Sequence, residues 1–598
     1  MLKHRNFLLA FFFVGLFFTS NASHNRSGEI TYKWVGPGPY TYQIKITTYT
    51  NIVPGTGGGG QNPPDKCQDT INFGDGTKAL VNRSNGTTNS LCYGTAMDGV
   101  NLPGGTTRLN EYVTTHTYSG SGNYIIIMQD PNRNAGVLNM SNSSNQVFYI
   151  QSLLVISSFL GPNNSPILTF PPIDQGCVGQ CFMHNPGAYD IDGDSLSYEL
   201  TNCLTTNGAV CAGYTYPTTG SGYFGVDSIT GTLIWYTPQL QGEYNLAMKI
   251  KEWRKDLGGN YILIGFITRD MQVDIGNCVN NNGPHIMINS SDTCILAGSI
   301  FNKTIQVSDL DNDMLNFSAN GGSFAAGTNP STFSSSPNPS NPIGDFYWNT
   351  LYDHIKRLPY QITMKLKDNH APVALVDFKT FNVKVIPHPP TNLTTNSSNT
   401  FIRLAWHKPA IYATSGVNPF KRYNVYRKNG FSSWAHSNLE TTPPGYTGFT
   451  FAGYTTNNIS DTTFFDYYYG GSFVPFQNYS YVVVAEYQDG STSYVTNTSS
   501  NQIYVGIKEY NNDDNGVIID PNPATTSAQL IIKNKIDEYY SFEILDITGK
   551  KTECVISTEN TTQLNAFTLH LENVDFGMYF IKITGNKGTN ITKKIIKN

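Results

Sequence analysis

One nine-residue segment occurs twice in the chain. Asp190-Ile191-Asp192-Gly193-Asp194-Ser195-Leu196-Ser197-Tyr198 returns 119 positions later as Asp309-Leu310-Asp311-Asn312-Asp313-Met314-Leu315-Asn316-Phe317. A second pair follows at an offset of 116: Tyr244 with Met248-Lys249-Ile250-Lys251-Glu252, then Tyr360 with Met364-Lys365-Leu366-Lys367-Asp368. Two motifs kept in order at nearly constant spacing mean a duplicated unit of roughly 100 residues, the size of a two-sheet β-sandwich. Asn163-Asn164-Ser165-Pro166 and Asn281-Asn282-Gly283-Pro284 precede the copies, polar linkers where a chain steps between compact units. The copies are therefore placed at 163–280 and 281–387.

At 598 residues the chain exceeds what one core organises and calls for several domains. Charged residues are 14%, against a usual figure of about 25%, while 37 Tyr, 33 Phe and 55 Gly are present. Aromatic side chains suit a pleated, half-buried surface and Gly serves turns, so the composition favours short strands. Strand-length alternation is visible at 42–48 and 124–128, and no long amphipathic helix is apparent. The fold class expected is all-β: tandem immunoglobulin-like and cadherin-like β-sandwich domains. A net charge of -5 with no clustered basic face gives no electrostatic reason to expect nucleic-acid binding.

The N-terminus has the three parts of a signal peptide. Lys3 and Arg5 give a positive start, residues 7–18 an apolar stretch, and Ser20-Asn21-Ala22 a small-x-small cleavage site, so residues 1–22 are expected to be removed. The apolar stretch falls short of the roughly 20 residues that span a bilayer, and no later segment is expected to form a transmembrane helix. Export makes disulfides the default for the nine cysteines. Cys67 with Cys92 and Cys278 with Cys294 are the simplest local pairs; Cys177, Cys181, Cys203 and Cys211 allow three pairings among themselves or a zinc site, and Cys554 stands alone.

Several stretches resemble known modules. Asn72-Phe73-Gly74-Asp75-Gly76, His116-Thr117-Tyr118 and Gly122-Asn123-Tyr124 resemble the signature segments of the polycystic-kidney-disease (PKD) type of sandwich, assigned here to 23–162. The duplicated unit resembles bacterial cadherin-like and immunoglobulin-like modules, and Val226-Asp227-Ser228-Ile229-Thr230-Gly231-Thr232-Leu233 resembles a cadherin strand pair. The second copy lacks that segment and carries a Ser/Pro-rich loop at 329–342. Pro390, Leu393, Leu404-Ala405-Trp406, Tyr423-Asn424-Val425-Tyr426-Arg427 and Tyr479-Ser480-Tyr481-Val482-Val483-Val484-Ala485 resemble a fibronectin type III module at 388–507.

Beyond a polar linker the character changes. Pro521-Asn522-Pro523-Ala524, Phe542-Glu543-Ile544-Leu545-Asp546-Ile547-Thr548-Gly549-Lys550, Gly577-Met578-Tyr579-Phe580-Ile581-Lys582-Ile583 and Lys593-Lys594-Ile595-Ile596-Lys597 come in the order and spacing of a type A C-terminal sorting domain of type IX secretion, placed at 515–598. The two prolines fix an extended lead-in, Thr548-Gly549 turns a hairpin, and the last strand alternates basic and apolar as an edge would. The resemblance implies the type IX machinery and a sortase as partners, and attachment to anionic lipopolysaccharide. The implied address is the outside of a Gram-negative bacterium, secreted or attached at the cell surface.

Asp190, Asp192 and Asp194, and again Asp309, Asp311 and Asp313, are the candidate ligand residues. Alternate side chains of an extended segment point the same way, and Ca²⁺ takes six to eight oxygens at about 2.3–2.6 Å. Ordinary turn chemistry, with carboxylates capping backbone N–H groups, fits the same residues without a metal. No His-Glu-x-x-His, Gly-x-Ser-x-Gly or phosphate-loop pattern occurs. The glycines at 57–60 compose a flexible loop, and His116, His184, His354 and His407 are scattered. Trp253, Tyr467, Tyr468 and Tyr469 are expected in a core, with sugar stacking as their other use. The function expected is non-enzymatic: an exported multidomain surface protein with an adhesive or structural role toward a surface protein or glycan. The alternatives are an exported hydrolase with accessory β modules and a carbohydrate-binding surface protein.

Overall fold

The computed structural model describes residues 25–598 apart from 39, 53–65, 88–97, 104–105, 221, 257, 279, 289–291, 337–339, 399, 411–417, 438, 469–471, 475, 503–515, 533–538 and 562–563. The signal segment at 1–22, the glycine loop at 57–60, Cys92 and Tyr469 lie outside the described residues. Strands joined by turns and single 3-10 turns make up the described chain, as the composition requires. No helix among the described residues is long and apolar enough to cross a membrane.

In the first segment the alternation at 42–48 becomes the strand Thr41–Asn51. Tyr42, Ile44 and Ile46 are fully buried, while Gln43 is exposed and Lys45 only partly covered. They pack with Ile30, Ile126, Met128, Phe148 and Ile150 into one core. Each such side chain contributes about 1.5–3 kcal/mol when fully buried. The sheet closes on itself where Arg83 bridges Tyr112.

The PKD-like motif residues converge at one end of this core. His116 stacks on Phe73 with ring centroids 3.9 Å apart and meets Asp75 at 2.7 Å, and the Tyr118 hydroxyl donates to the Phe73 carbonyl at 3.1 Å. Gly74 has φ +85°, and a Cβ there would sit 2.5 Å from the Ile125 carbonyl oxygen. Neither the backbone conformation nor the space admits a side chain. Gly74→Ala is expected to destabilise this segment by about 1–3 kcal/mol, read as an earlier first transition in urea unfolding.

The duplication is visible as repeated topology. In the first copy Gln175–Cys177 runs parallel to Tyr261–Gly276, which pairs antiparallel with Gly242–Lys255, itself paired with Ser195–Thr201. In the second, Thr293–Leu296, Val376–Ile386, Tyr360–Lys367 and Asn316–Gly321 repeat that order and those directions. The opposite sheets are Phe182–His184, Leu233–Trp235 and Phe224–Val226, against His285–Met287, Ile300–Ser308, Gly344–Asn349 and Thr332–Ser335. Each core is keyed by one fully buried tryptophan edge-on to a tyrosine: Trp235 on Tyr244 at 4.9 Å, Trp348 on Tyr360 at 4.8 Å. Two facing sheets with an early strand parallel to the last make these immunoglobulin-like sandwiches.

The linker at 162/163 divides two cores but not the sheet. Tyr261–Gly276, from the first copy, pairs along one edge with Gly242–Lys255 and along the other with Phe148–Ile156 and then Asn25–Trp34 of the preceding segment, with Gly265 opposite Leu154 and Ser27 opposite Met271. Both of its edges are hydrogen-bonded and both faces covered, so Thr268, Arg269, Asp270 and Gln272 are buried beside Met271 and Val273.

This topology also corrects the cysteine expectation. Cys278 pairs with Cys177, not with Cys294. The parallel pairing of Gly276 with Cys177 brings residues 101 apart in sequence into reach, which local spacing cannot reveal. Cys181, Cys203, Cys211, Cys294 and Cys554 carry free thiols. Cys67 is disulfide-bonded, its expected partner lying outside the described residues.

Residues 388–507 hold a three-stranded and a four-stranded sheet. Trp406 is buried edge-on to Tyr423 at 5.3 Å, and the strand Asn478–Tyr487 is buried along nearly its whole length. This is the core placement that the order of Trp and late Tyr-x-Tyr implies.

Candidate functional site

Each aspartate loop draws its three carboxylates together, with one ligand oxygen from each within 4.8 Å of the others. In the first, Asp190 is 9% exposed and its Oδ1 accepts from the Asp194 N–H at 2.8 Å, closing the turn. Asp192 is exposed and held by the linker: its oxygens accept from the Asn164 backbone N–H at 2.7 Å and side-chain amide at 2.8 Å. Arg254 enters from the end of Gly242–Lys255. Its Nε donates to Asp194 at 2.9 and 3.1 Å, its Nη1 to the carbonyls of Leu160 and Pro162 at 2.8 and 3.0 Å, and its Nη2 to Asn163 Oδ1 at 2.9 Å and Asp194 Oδ2 at 2.5 Å. Glu252, on the same strand, lies beside Asp190, and its Oε2 accepts from the Tyr32 hydroxyl at 3.0 Å and the Asn163 amide at 3.2 Å. Burial pushes Asp190 up to about 7 and Glu252 well above the carboxylate range.

The second loop repeats the frame. Asp309 Oδ1 accepts from the N–H groups of Asp311 and Asp313 at 2.8 and 3.3 Å, and Asp311 is held by the Asn282 backbone and side-chain amides at 2.5 and 3.0 Å. Those bonds pull Asp311 below the usual carboxylate range. Asp368 takes the place of Glu252 and is raised by burial; it accepts from the Asn281 amide at 3.3 Å and the backbone N–H groups of His370 and Leu375. His370 takes the place of Arg254, with Nδ1 3.1 Å from Asp313. All six aspartates of the sequence analysis are thus brought together as two clusters. The partners Glu252 and Arg254, and Asp368 and His370, were not foreseen as part of them, although the 116-residue offset already aligns Arg254 with His370.

The C-terminal segment has its own core of two four-stranded sheets. One comprises Val517–Asp520, Ser527–Ile532, Leu564–His570 and Val555–Thr561; the other Lys551–Thr552, Tyr540–Asp546, Gly577–Gly585 and Asn590–Lys597. The four motifs occupy structural joints. Asp546 Oδ1 accepts from the N–H groups of Thr548 and Lys550 at 2.8 and 3.0 Å, tightening the hairpin turn at Gly549, whose φ is +81°. The Pro-Asn-Pro segment clamps the last strand: Asn522 exchanges bonds with Lys594 and Ile596 at 2.8 and 2.9 Å, and the Ala524 N–H donates to the Ile596 carbonyl at 2.8 Å. Asn590–Lys597 pairs only with Gly577–Gly585 in its sheet, the edge position its basic and apolar alternation implies.

Residues 519–598 match the family model described as "Secretion system C-terminal sorting domain". The tail is a secretion sorting domain. It marks the chain as a substrate of type IX secretion and the secretion machinery as its partner. No curated protein matches the chain. Among solved structures, domains A168–A170 of titin align at 11% identity and TM-score 0.17, over 57% of this chain and 98% of that one. A two-domain fibronectin type III segment of chicken tenascin aligns at 17% and 0.16, over 35% and 99%. The sialic acid binding region of a Streptococcus sanguinis SK1 adhesin aligns at 9% and 0.16, over 54% and 78%.

A buried polar chain escaped the sequence reading altogether. Arg269, fully buried, donates to both Glu29 oxygens at 3.0 Å, to the Phe170 carbonyl at 2.7 Å and to His184 Nε2 at 3.2 Å. His184 Nδ1 meets Asp174 at 2.8 Å, and Asp174 also pairs with Lys365 of the second copy. Burial would raise Asp174, but the Lys365 charge and the His184 hydrogen bond outweigh it and hold the carboxyl at about 2. A His–Asp pair is half of a catalytic triad, yet here the guanidinium fills the place beside Nε2 where a nucleophile would stand. The aromatics expected in a core fall outside it: Trp253 is half-buried with its indole donating to Ser197 at 2.7 Å, Tyr468 is half-buried, and Tyr467 is 50% exposed.

Proposed function

We propose that the chain is a non-enzymatic protein of the outer cell surface, its sandwiches forming an adhesive or structural array that meets a surface protein or glycan. The sorting domain at 519–598 carries this reading, because it supplies the address. The tandem immunoglobulin-like units supply repeated, rigid surfaces of the kind interaction modules use. The blocked His184–Asp174 pair supports a structural role for the best-formed acid–base constellation described. Attachment to anionic lipopolysaccharide after sortase cleavage follows from the same address. Sandwich folds host many functions, so the decisive observation is biochemical. The purified exported protein, screened against a glycan array and against generic glycosidase and protease substrates, is expected to show binding without turnover. Sustained turnover that survives further purification would sink this proposal and restore the hydrolase alternative.

A further inference from the structure

Two substitutions separate the duplicated aspartate loops, and the one that replaces Arg254 by His370 leaves a buried asparagine oxygen without a partner in the second copy. In the first copy Asn163 Oδ1 accepts from Arg254. Its counterpart Asn281 is 2% exposed and donates through its amide to Asp368 and to the Val373 carbonyl, and its Oδ1 has no partner among the described residues. The second oxygen of the leading aspartate has no partner among the described residues in either copy, Asp190 or Asp309. In the second copy Asp309 is 9% exposed, and Asp368, one methylene shorter than Glu252, spends its oxygens on Asn281, His370 and Leu375. A buried, unpaired polar oxygen costs about 1–3 kcal/mol, more when charged.

Charge follows the same division. The first cluster holds a fixed guanidinium that reaches two aspartates, one asparagine and two backbone carbonyls, an oxygen set of the kind a hard cation takes. Lys356 and Arg357, from the second copy, add positive charge beside Asp190 and Asp194. The second cluster gathers Asp309, Asp311, Asp313 and Asp368 with no Arg or Lys ion pair among the described residues, only His370 on Asp313.

We propose that the second loop binds one divalent cation, Ca²⁺ by its predominance of oxygen donors, through Asp309, Asp311, Asp313, Asp368 and Asn281, while Arg254 is the built-in cation of the first. The duplicated unit then has one metal-dependent and one metal-independent copy. The linker residues Asn281 and Asn282 belong to the site or brace it, so the ion ties the second copy to the segment that joins it to the first.

The test is calorimetric titration of the chelator-treated full chain with CaCl₂ alone, with the melting temperature followed in parallel. One ion per chain is expected, with a calcium-dependent rise in melting temperature. Asp190→Asn is expected to leave the stoichiometry at one, and Asp309→Asn with Asp313→Asn to abolish binding. Should the double variant misfold, His370→Arg decides: it supplies the second copy with the first copy's cation and is expected to weaken Ca²⁺ binding at least tenfold while the chelated protein melts no earlier. Two ions per chain, none, Zn²⁺ taken in preference to Ca²⁺, or unchanged binding in His370→Arg overturns the proposal.

Discussion

A chain ending at residue 518 is expected to disappear from the cell surface and accumulate behind the outer membrane. The reason is modular. The sorting domain buries Leu530, Leu569, Ile581, Ile583 and Ile595 in a core of its own, so its removal strips the address without opening the cores built from 30–156, 168–275 and 286–385. Near-normal amounts of folded, protease-resistant truncated protein are therefore expected inside the cell. Ile581→Asp supplies a second arm. It places a charge at a fully buried position, and an unpaired charge in a small core unfolds it or drives proton uptake. The full-length variant should fail export as the truncation does, while an exposed change such as Lys587→Ala should not. Surface display of the truncated chain at wild-type level would refute the assignment of the address to these residues. It would leave the calcium proposal untouched, since that is read on purified protein.

How much of this was legible in the sequence depends on where the partner of each residue lies. The duplicated aspartate loops, the strand at 42–48 and the hairpin at Thr548-Gly549 are local patterns, and each forms what its spacing implies. The strand Tyr261–Gly276 shows the limit. Its sequence runs Thr268, Arg269, Asp270, Met271, Gln272, Val273, which puts polar residues on both faces, yet both faces are covered. Arg269, Asp270 and Gln272 are buried because Glu29, Arg133 and Asn134, more than a hundred positions away, complete them. Nothing local encodes such a pairing. The disulfide failed for the same reason: loop closure costs least for near neighbours, but a parallel strand pair brought Cys177 to Cys278. Within the aspartate clusters the carboxylates were readable and their regulators were not, since one aligned position holding Arg254 and His370 gains meaning only once the guanidinium is seen among the carboxylates.

Arg269→Met is expected to be among the most destabilising single changes in the molecule, by about 3–5 kcal/mol, because it leaves Glu29 buried with its charge unpaired. The remaining bond to Glu29, from the Tyr49 hydroxyl at 3.5 Å, is too long to compensate. Replacing both partners, Arg269→Met with Glu29→Leu, should recover much of the loss, since a paired charge exchanged for packed apolar groups is often nearly neutral. Strong non-additivity in urea unfolding is thus the signature, and a sum of two independent losses would contradict it. The buried histidine beside this guanidinium carries a pH dependence. Burial, aided by the Arg269 and Lys365 charges, lowers His184 from its ordinary 6.5 against the pull of Asp174. A folded-state value below the unfolded one means that this contribution is fully present above about pH 6.5 and is lost as pH falls below it. Asp174, held at about 2, stays ionised throughout that window and loses its contribution only below about 3.8. The His184 contribution should therefore lower the melting temperature between pH 7.5 and 5, so that His184→Gln, where no proton can be taken up, loses less over this interval than the wild type. An equal fall in that variant would assign the acid sensitivity elsewhere and leave the Arg269 pair to be judged on the double-variant cycle alone.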